Sequence, residues 1–256
     1  MRAMNDQAAL SSAYDKIAEH TNLYPEFYRW VVQLVAGTQI SRDAAITDIG
    51  CGTGRMWEEL KAAGYTQLAG VDFSQECASL TKKRVPDAQV WQHNILDGPV
   101  EQSTLIVMSE VIEHVTNPRQ ALLNVKDSLV KDGWLVLTFP NKLAYWPLYY
   151  LSPLRKILPQ NERLQHWFTW FTMPYEMRST QPNDNAYTVD QVRGFLQDAG
   201  FTVQEEYGHR LFPMLRIRGL GWIESAAEAL ERTIGRFLPK AMSYRYMFVT
   251  RKTGVS

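Results

Sequence analysis

The chain has 256 residues, and its 27 basic and 27 acidic side chains leave a formal net charge of zero. An apolar fraction of 45% excludes a wholly disordered chain. The charge balance argues against wholesale electrostatic binding of nucleic acid. Only Cys51 and Cys77 are present, so there is no disulfide framework, and a reducing, cytoplasmic setting is expected. Met1 to Ser12 lack the apolar stretch a signal peptide needs. The longest uncharged aromatic run, Leu143 to Leu154, is too short to span a bilayer. The reading is a soluble protein, with peripheral membrane contact left open.

Residues 1–40 are expected to form a helical cap of two helices. Ala13, Ile17 and Ala18 make a short apolar stripe, and Phe27, Trp30, Val31, Leu34 and Val35 a longer one. From residue 41 to 140 the pattern becomes short apolar runs alternating with amphipathic stretches. The runs are Ala45–Ile49, Leu68–Val71, Gln89–Trp91, Thr104–Met108 and Trp134–Phe139, with helices expected near 54–63, 74–84 and 118–130. After a break at 141–186, a helix near 188–199 and strands at Phe201–Glu206 and Tyr244–Thr250 complete the fold, with a helical insertion near 208–240. Apolar strands separated by helices spell an α/β, doubly wound sheet.

The strongest local signal is Ile46-Thr47-Asp48-Ile49-Gly50-Cys51-Gly52-Thr53-Gly54. A buried strand runs into three alternating glycines and a helix starts at once. Glycine suits a sharp turn where backbone must approach a ligand, and the helix offers its N-terminal NH groups there. Asp72 ends the next strand, placed to accept both hydroxyls of a ribose, and Phe73 beside it suits a purine face. The dinucleotide fingerprint spaces its glycines G-x-G-x-x-G. Here the spacing is G-x-G-x-G with Asp48 two residues ahead, which suits a ligand carrying a cationic amine.

These residues resemble the first motif of the class I S-adenosylmethionine-dependent methyltransferases, an acid-x-G-x-G-x-G. The resemblance covers roughly residues 44–140. It implies a Rossmann-like, seven-stranded sheet whose last strand runs antiparallel. It further implies that Asp48, Gly50, Cys51, Gly52 and Gly54 line the methionine and ribose end of S-adenosyl-L-methionine. Asp72 takes the ribose diol and Phe73 lies by the adenine. Asn94, in His93-Asn94-Ile95, falls where the family usually has an acid that reads the adenine. Tyr14, in Ala13-Tyr14-Asp15-Lys16, resembles the N-terminal helix that folds over the cofactor in many small-molecule methyltransferases.

After the fourth strand comes Ser109-Glu110-Val111-Ile112-Glu113-His114. On a helix, Glu110, Glu113 and His114 would share one face, with Ser109 and Glu110 near the methionine moiety. Three chemistries fit: a structural cap, a general base made of His114 or Glu113, or a divalent ion such as magnesium or manganese, the last not favoured. The string Glu-x-x-Glu-His resembles the ubiquinone-biosynthesis O-methyltransferases that act on quinols and phenols. It also resembles metal-dependent 2′-O-methyltransferases of RNA 3′ ends. The latter need a further histidine, and neither His166 nor His209 sits in a matching context.

Between Tyr145 and Tyr175 lie nine aromatic residues, with Arg155, Lys156 and Arg163 among them. This enrichment reads first as a lid for a small apolar or lipid-like acceptor, with the core of a helical subdomain as the alternative. From Arg210 to Lys252, nine basic residues face three glutamates, which keeps an anionic lipid surface or an RNA end open as a partner. The expected activity is O-methylation of a hydroxylated aromatic or quinol. A nicotinamide-dependent oxidoreductase and a non-catalytic adenosylmethionine-binding subunit stand as the competing classes. The sequence leaves the oligomeric state open.

Overall fold

A computed structural model describes residues 25–142, 185–209, 240 and 243–253. Helix α1 (Pro25–Gly37) leads to β1 (Ile46–Ile49), α2 (Arg55–Ala62), β2 (Leu68–Asp72), α3 (Gln75–Arg84) and β3 (Gln89–Gln92). Strand β4 (Ser103–Ser109) is followed by a single 3₁₀ turn (Ile112–His114), α4 (Pro118–Asp127) and β5 (Leu129–Pro140). Helix α5 (Val189–Asp198), β6 (Phe201–His209) and β7 (Arg245–Lys252) close the fold. The seven strands lie in the order β3-β2-β1-β4-β5-β7-β6. Strands β1 to β5 are parallel, and β7 runs antiparallel between β5 and β6, as expected.

Burial on both faces explains the apolar runs. In β4, Leu105, Ile106, Val107 and Met108 are all fully buried. Leu105 and Val107 pack with Phe27, Val31 and Val35 of α1 and Trp57 and Leu60 of α2. Ile106 and Met108 point the other way, to Leu122 and Val125 of α4 and Val192 and Leu196 of α5. Side chains alternate along a strand, so one apolar run feeds two cores.

Helix starts follow local chemistry. Ser74 caps α3 by accepting from the Cys77 NH, Asn117 caps α4 ahead of Pro118, and Thr188 and Gln191 form a reciprocal capping box on α5. The expected helix at 118–130 is shorter than its apolar pattern suggests, because Ser128 caps it and Leu129 already pairs with Ser103 in the sheet. The β4–β5 register then shifts, Leu105 pairing with Trp134, and Asp132 takes a left-handed φ of 60° in the bulge. β5 therefore starts five residues before the expected Trp134.

Several sequence features lie outside the described residues: Tyr14 and its helix, the aromatic segment Tyr145–Tyr175 with Arg155, Lys156, Arg163 and His166, and residues 210–239 of the expected helical insertion. Among the described residues, no helix is long and apolar enough to cross a membrane.

Candidate active site

The strand order reverses between β1 and β4, and the crevice beyond their carboxyl ends is where open α/β sheets bind ligands. The glycine loop sits at that point. Gly50, Gly52 and Gly54 have φ of 76°, 55° and 72°, a conformation that side-chain-bearing residues rarely adopt. Gly50 and Gly54 also have a spatial reason. A Cβ on Gly50 would stand 2.3 Å from Val111 Cγ2, and one on Gly54 would stand 2.8 Å from Thr81 Cγ2. A Cβ on Gly52 would meet nothing within 4 Å, so the loop leaves open space at its middle.

Asp72 fastens this loop. One of its carboxylate oxygens accepts the Gly52 NH and the other the Ser74 NH, both at 2.8 Å. Thr81, on the face of α3 that meets the loop, donates its hydroxyl to the Gly52 carbonyl at 2.7 Å. The carboxylate that sequence reasoning placed on the ribose thus also holds the backbone that would cradle it.

Asp48 is 3% exposed, beneath the loop, and accepts the indole NH of Trp57 at 2.8 Å. Burial raises its pKa to about 7, helped by the charge of Asp72 and opposed by the Trp57 hydrogen bond. Asp48 faces Gly70 in the β1–β2 register, and a Cβ on Gly70 would stand 2.4 Å from Trp57 Cζ2. Gly70 is glycine because the indole crosses it to reach Asp48. Gly70→Ala is therefore expected to cost about 1–3 kcal/mol through overpacking, which is about 2–4 °C of melting temperature per kcal/mol in a chain this size. A thermal melt indistinguishable from wild type would show that the indole is not so confined.

Cys51 is buried at 7% exposure, and burial together with the charges of Asp72 and Asp48 pushes its thiol pKa well up. It stays protonated, so its side chain is packing and only its backbone belongs to the loop. Phe73 is half-buried beside Asp72, and its carbonyl accepts from Gln92. Asn94 turns its amide oxygen back to the Leu96 NH at 3.0 Å, while Ile95 is buried and its carbonyl accepts from Asn124 at 2.6 Å.

The cluster after β4 differs from the helical face expected of it. Glu110 is left-handed (φ 55°) and outside any helix, and only Ile112–His114 form a 3₁₀ turn. Glu110 points to Arg245 Nε at 2.8 Å and to the Thr138 hydroxyl at 3.0 Å. Ser109 shares that hydroxyl at 3.0 Å. Glu113 is 2% exposed, with its carbonyl accepting both the backbone NH and the side-chain amide of Asn185. His114 Nε2 lies 3.8 Å from Glu113 Oε1, yet burial lowers the imidazole pKa to about 4. Among the described residues, no three histidine, cysteine or acidic side chains converge as a metal-holding group. The proposed metal trio therefore does not fit, because the turn at Glu110 takes one donor away to Arg245. His209, at the end of β6, stacks on Trp30 of α1 with ring centroids 4.3 Å apart.

Sequence reasoning missed Thr138, Arg245, Asn185, Trp57 and Thr81. Each meets its partner only through the sheet order or a helix face, and none sits in a local pattern. It also passed over Arg55, the first residue of α2, whose buried Nε has no hydrogen-bond partner among the described residues.

Residues 18–206 match the methyltransferase domain family. The chain belongs to that family. It is a class I methyltransferase domain whose cofactor is S-adenosylmethionine. Over 115 residues (41% of this chain and 35% of the other) it is 30% identical to a mitochondrial ubiquinone biosynthesis O-methyltransferase of Candida albicans. Over 145 residues (52% and 60%) it is 25% identical to a ubiquinone biosynthesis O-methyltransferase of Glaesserella parasuis serovar 5. The match thus spans about a third and three fifths of those two relatives. Among solved structures, the Synechocystis PCC 6803 magnesium protoporphyrin IX methyltransferase with bound SAH shares the fold at a TM-score of 0.58 and 13% identity. That likeness covers 90% of this chain and 83% of the other. The site of this methyltransferase fits the cofactor on two observations. The open space at Gly52 admits a ligand against the backbone, and the orphaned Arg55 Nε is a donor suited to a carboxylate.

Proposed function

We propose that this methyltransferase acts on the oxygen of a small apolar or lipid-like acceptor bearing a phenol or quinol hydroxyl. The observation that carries this reading is the placement of His114 in the turn after β4, at the carboxyl edge of the sheet, with its Nε2 3.8 Å from Glu113 Oε1. An imidazole with its pKa lowered to about 4 remains neutral, and able to accept a proton, throughout the physiological range. It is nevertheless a poor base, which favours the more acidic hydroxyls among possible acceptors. A phenol, with a pKa of about 10, is a far better partner for it than a sugar hydroxyl. Support also comes from the aromatic-rich stretch of the sequence between Tyr145 and Tyr175, and from the names of the quinone-pathway relatives.

In this reading Gly50, Gly52, Gly54 and Asp72 hold the nucleoside end of the cofactor. Asn94 and Ile95 lie at the base, and Arg55 takes the carboxylate. Bound adenosylmethionine supplies a methyl group already activated on a sulfonium. The chain then has to align the acceptor oxygen, and such positioning contributes about 7–11 kcal/mol. As that oxygen attacks, its proton passes to His114 Nε2, and Glu113 beside it steadies the resulting positive charge.

The test is methyl transfer from labelled donor to catechols and quinols with apolar tails, alongside an RNA with a free 3′ end. Label is expected in the phenolic acceptors and to persist in the presence of a chelator. His114→Gln is expected to lower kcat by about 10²–10⁴-fold while leaving the calorimetric affinity for S-adenosylhomocysteine unchanged. Label confined to RNA, or lost on chelation and restored by magnesium, would overturn the reading.

A further inference from the structure

Arg245 begins β7, 135 residues after Glu110, and the antiparallel insertion of β7 between β5 and β6 brings it to the carboxyl edge of the sheet. It is a buried cation at 3% side-chain exposure, and its partner Glu110 is 13% exposed. Its guanidinium lies over the rings of Phe27 at 4.6 Å and Tyr244 at 5.1 Å. A charge placed that deeply needs its counter-ion, so Arg245 confines the Glu110 carboxylate to one direction.

Glu110 is confined at four points. Oε2 accepts from Arg245, Oε1 accepts the Thr138 hydroxyl, and the backbone NH donates to both the carbonyl and the hydroxyl oxygen of Thr138. These bonds hold a glutamate in the left-handed region, where a side-chain-bearing residue is strained unless its surroundings over-determine it. The consequence appears one residue on. The corner at Glu110 turns Val111 onto Gly50, so closely that even a Cβ on that glycine would stand 2.3 Å from Val111 Cγ2. An unbroken chain of contacts therefore runs from Arg245 through Glu110 and Val111 to the first glycine of the cofactor loop.

We propose that Arg245 is a positioning residue for cofactor binding, which seats Val111 against Gly50 by holding Glu110 in its left-handed corner. This gives Glu110 a role different from direct contact with the methionine moiety, since its charge is committed to Arg245. The inference rests on the glycine loop being the cofactor cradle and is independent of the acceptor.

The experiment measures S-adenosylhomocysteine affinity by calorimetry and melting temperature on the full chain. Removing one partner of a buried pair strands the other charge, whereas removing both leaves none. Arg245→Met alone is expected to melt early. The double variant Arg245→Met with Glu110→Gln recovers much of the melting temperature but binds at least tenfold more weakly. Arg245→Lys, which keeps a cation for Glu110, is expected to stay within threefold of wild type. Val111→Ala leaves the ion pair intact, removes the contact with Gly50 and is expected to weaken binding to a similar degree as the double variant. Wild-type affinity in the double variant overturns the proposal, and, where that variant does not fold, wild-type affinity in Val111→Ala does so. Loss of affinity in Asp72→Ala but not in these variants would leave the loop as cradle and remove Arg245 alone. Unchanged affinity in Asp72→Ala would remove the cradle itself.

Discussion

Asp72→Ala is expected to weaken S-adenosylhomocysteine binding by at least about 100-fold in a calorimetric titration, because the carboxylate that fastens the loop is also the one proposed to take the ribose. In the protein alone it already accepts the Gly52 and Ser74 NH groups at 2.8 Å. Hydrogen bonds to a charged group contribute about 1.5–3 kcal/mol each. Truncation releases the middle of the loop, leaving Thr81 as the remaining tie on the Gly52 carbonyl. It also loosens Ser74, whose hydroxyl caps α3. A ribose diol bound here would lose its acceptor in addition to its preformed cradle. Asp72→Asn keeps one acceptor oxygen and is expected to fall between the two. Wild-type affinity in a folded Asp72→Ala protein would falsify the ribose assignment.

Opposite pH dependences of stability are expected from Asp48 and His114, because burial perturbs an acid upward and a base downward in the same pH range. Asp48 ordinarily titrates at 3.8 but is raised to about 7 in the fold. Between those values the native carboxyl keeps a proton that the unfolded one has lost, so stability falls as pH rises through the window. His114 ordinarily titrates at 6.5 but is lowered to about 4. There the unfolded imidazole holds a proton the native one lacks, so stability rises with pH over 4 to 6.5. At 1.36 kcal/mol per unit, the two effects are about 4 and 3 kcal/mol and nearly cancel. Asp48→Asn, whose amide oxygen can still accept from Trp57, is expected to melt near wild type at pH 4.5 and on the order of 10 °C higher above pH 7. His114→Gln should match wild type at pH 7 and exceed it at pH 4.5. Melting differences from wild type that stay constant with pH would contradict both assignments.

The relation between chain and fold divides along the range of the interactions. The three glycines, Asp48 and Asp72 were legible because a turn after a buried strand imposes its own residues within a short stretch. The alternating strands and helices were legible because burial on both faces makes the central strands, β1 and β4 above all, largely apolar. At residues 128–133 that logic failed. The apolar pattern of α4 runs past its end, and pairing of Leu129 with Ser103 turns those residues into strand.

The cluster after β4 was misread for the same reason. Spacing alone puts Glu110, Glu113 and His114 on one helical face, but a buried arginine from the last strand draws Glu110 out of the helix. Likewise, an aspartate looks the same in sequence whether solvated or sealed under Trp57, and an imidazole carries no mark of its burial. Residue order along the chain was enough for the architecture and for the glycine loop with the acid that ends the next strand, since each is marked within a strand and the turn that follows it. The folded sheet was needed to set which carboxylate meets which cation and where each proton resides. Those outcomes depend on desolvation and on contacts between strands more than a hundred residues apart.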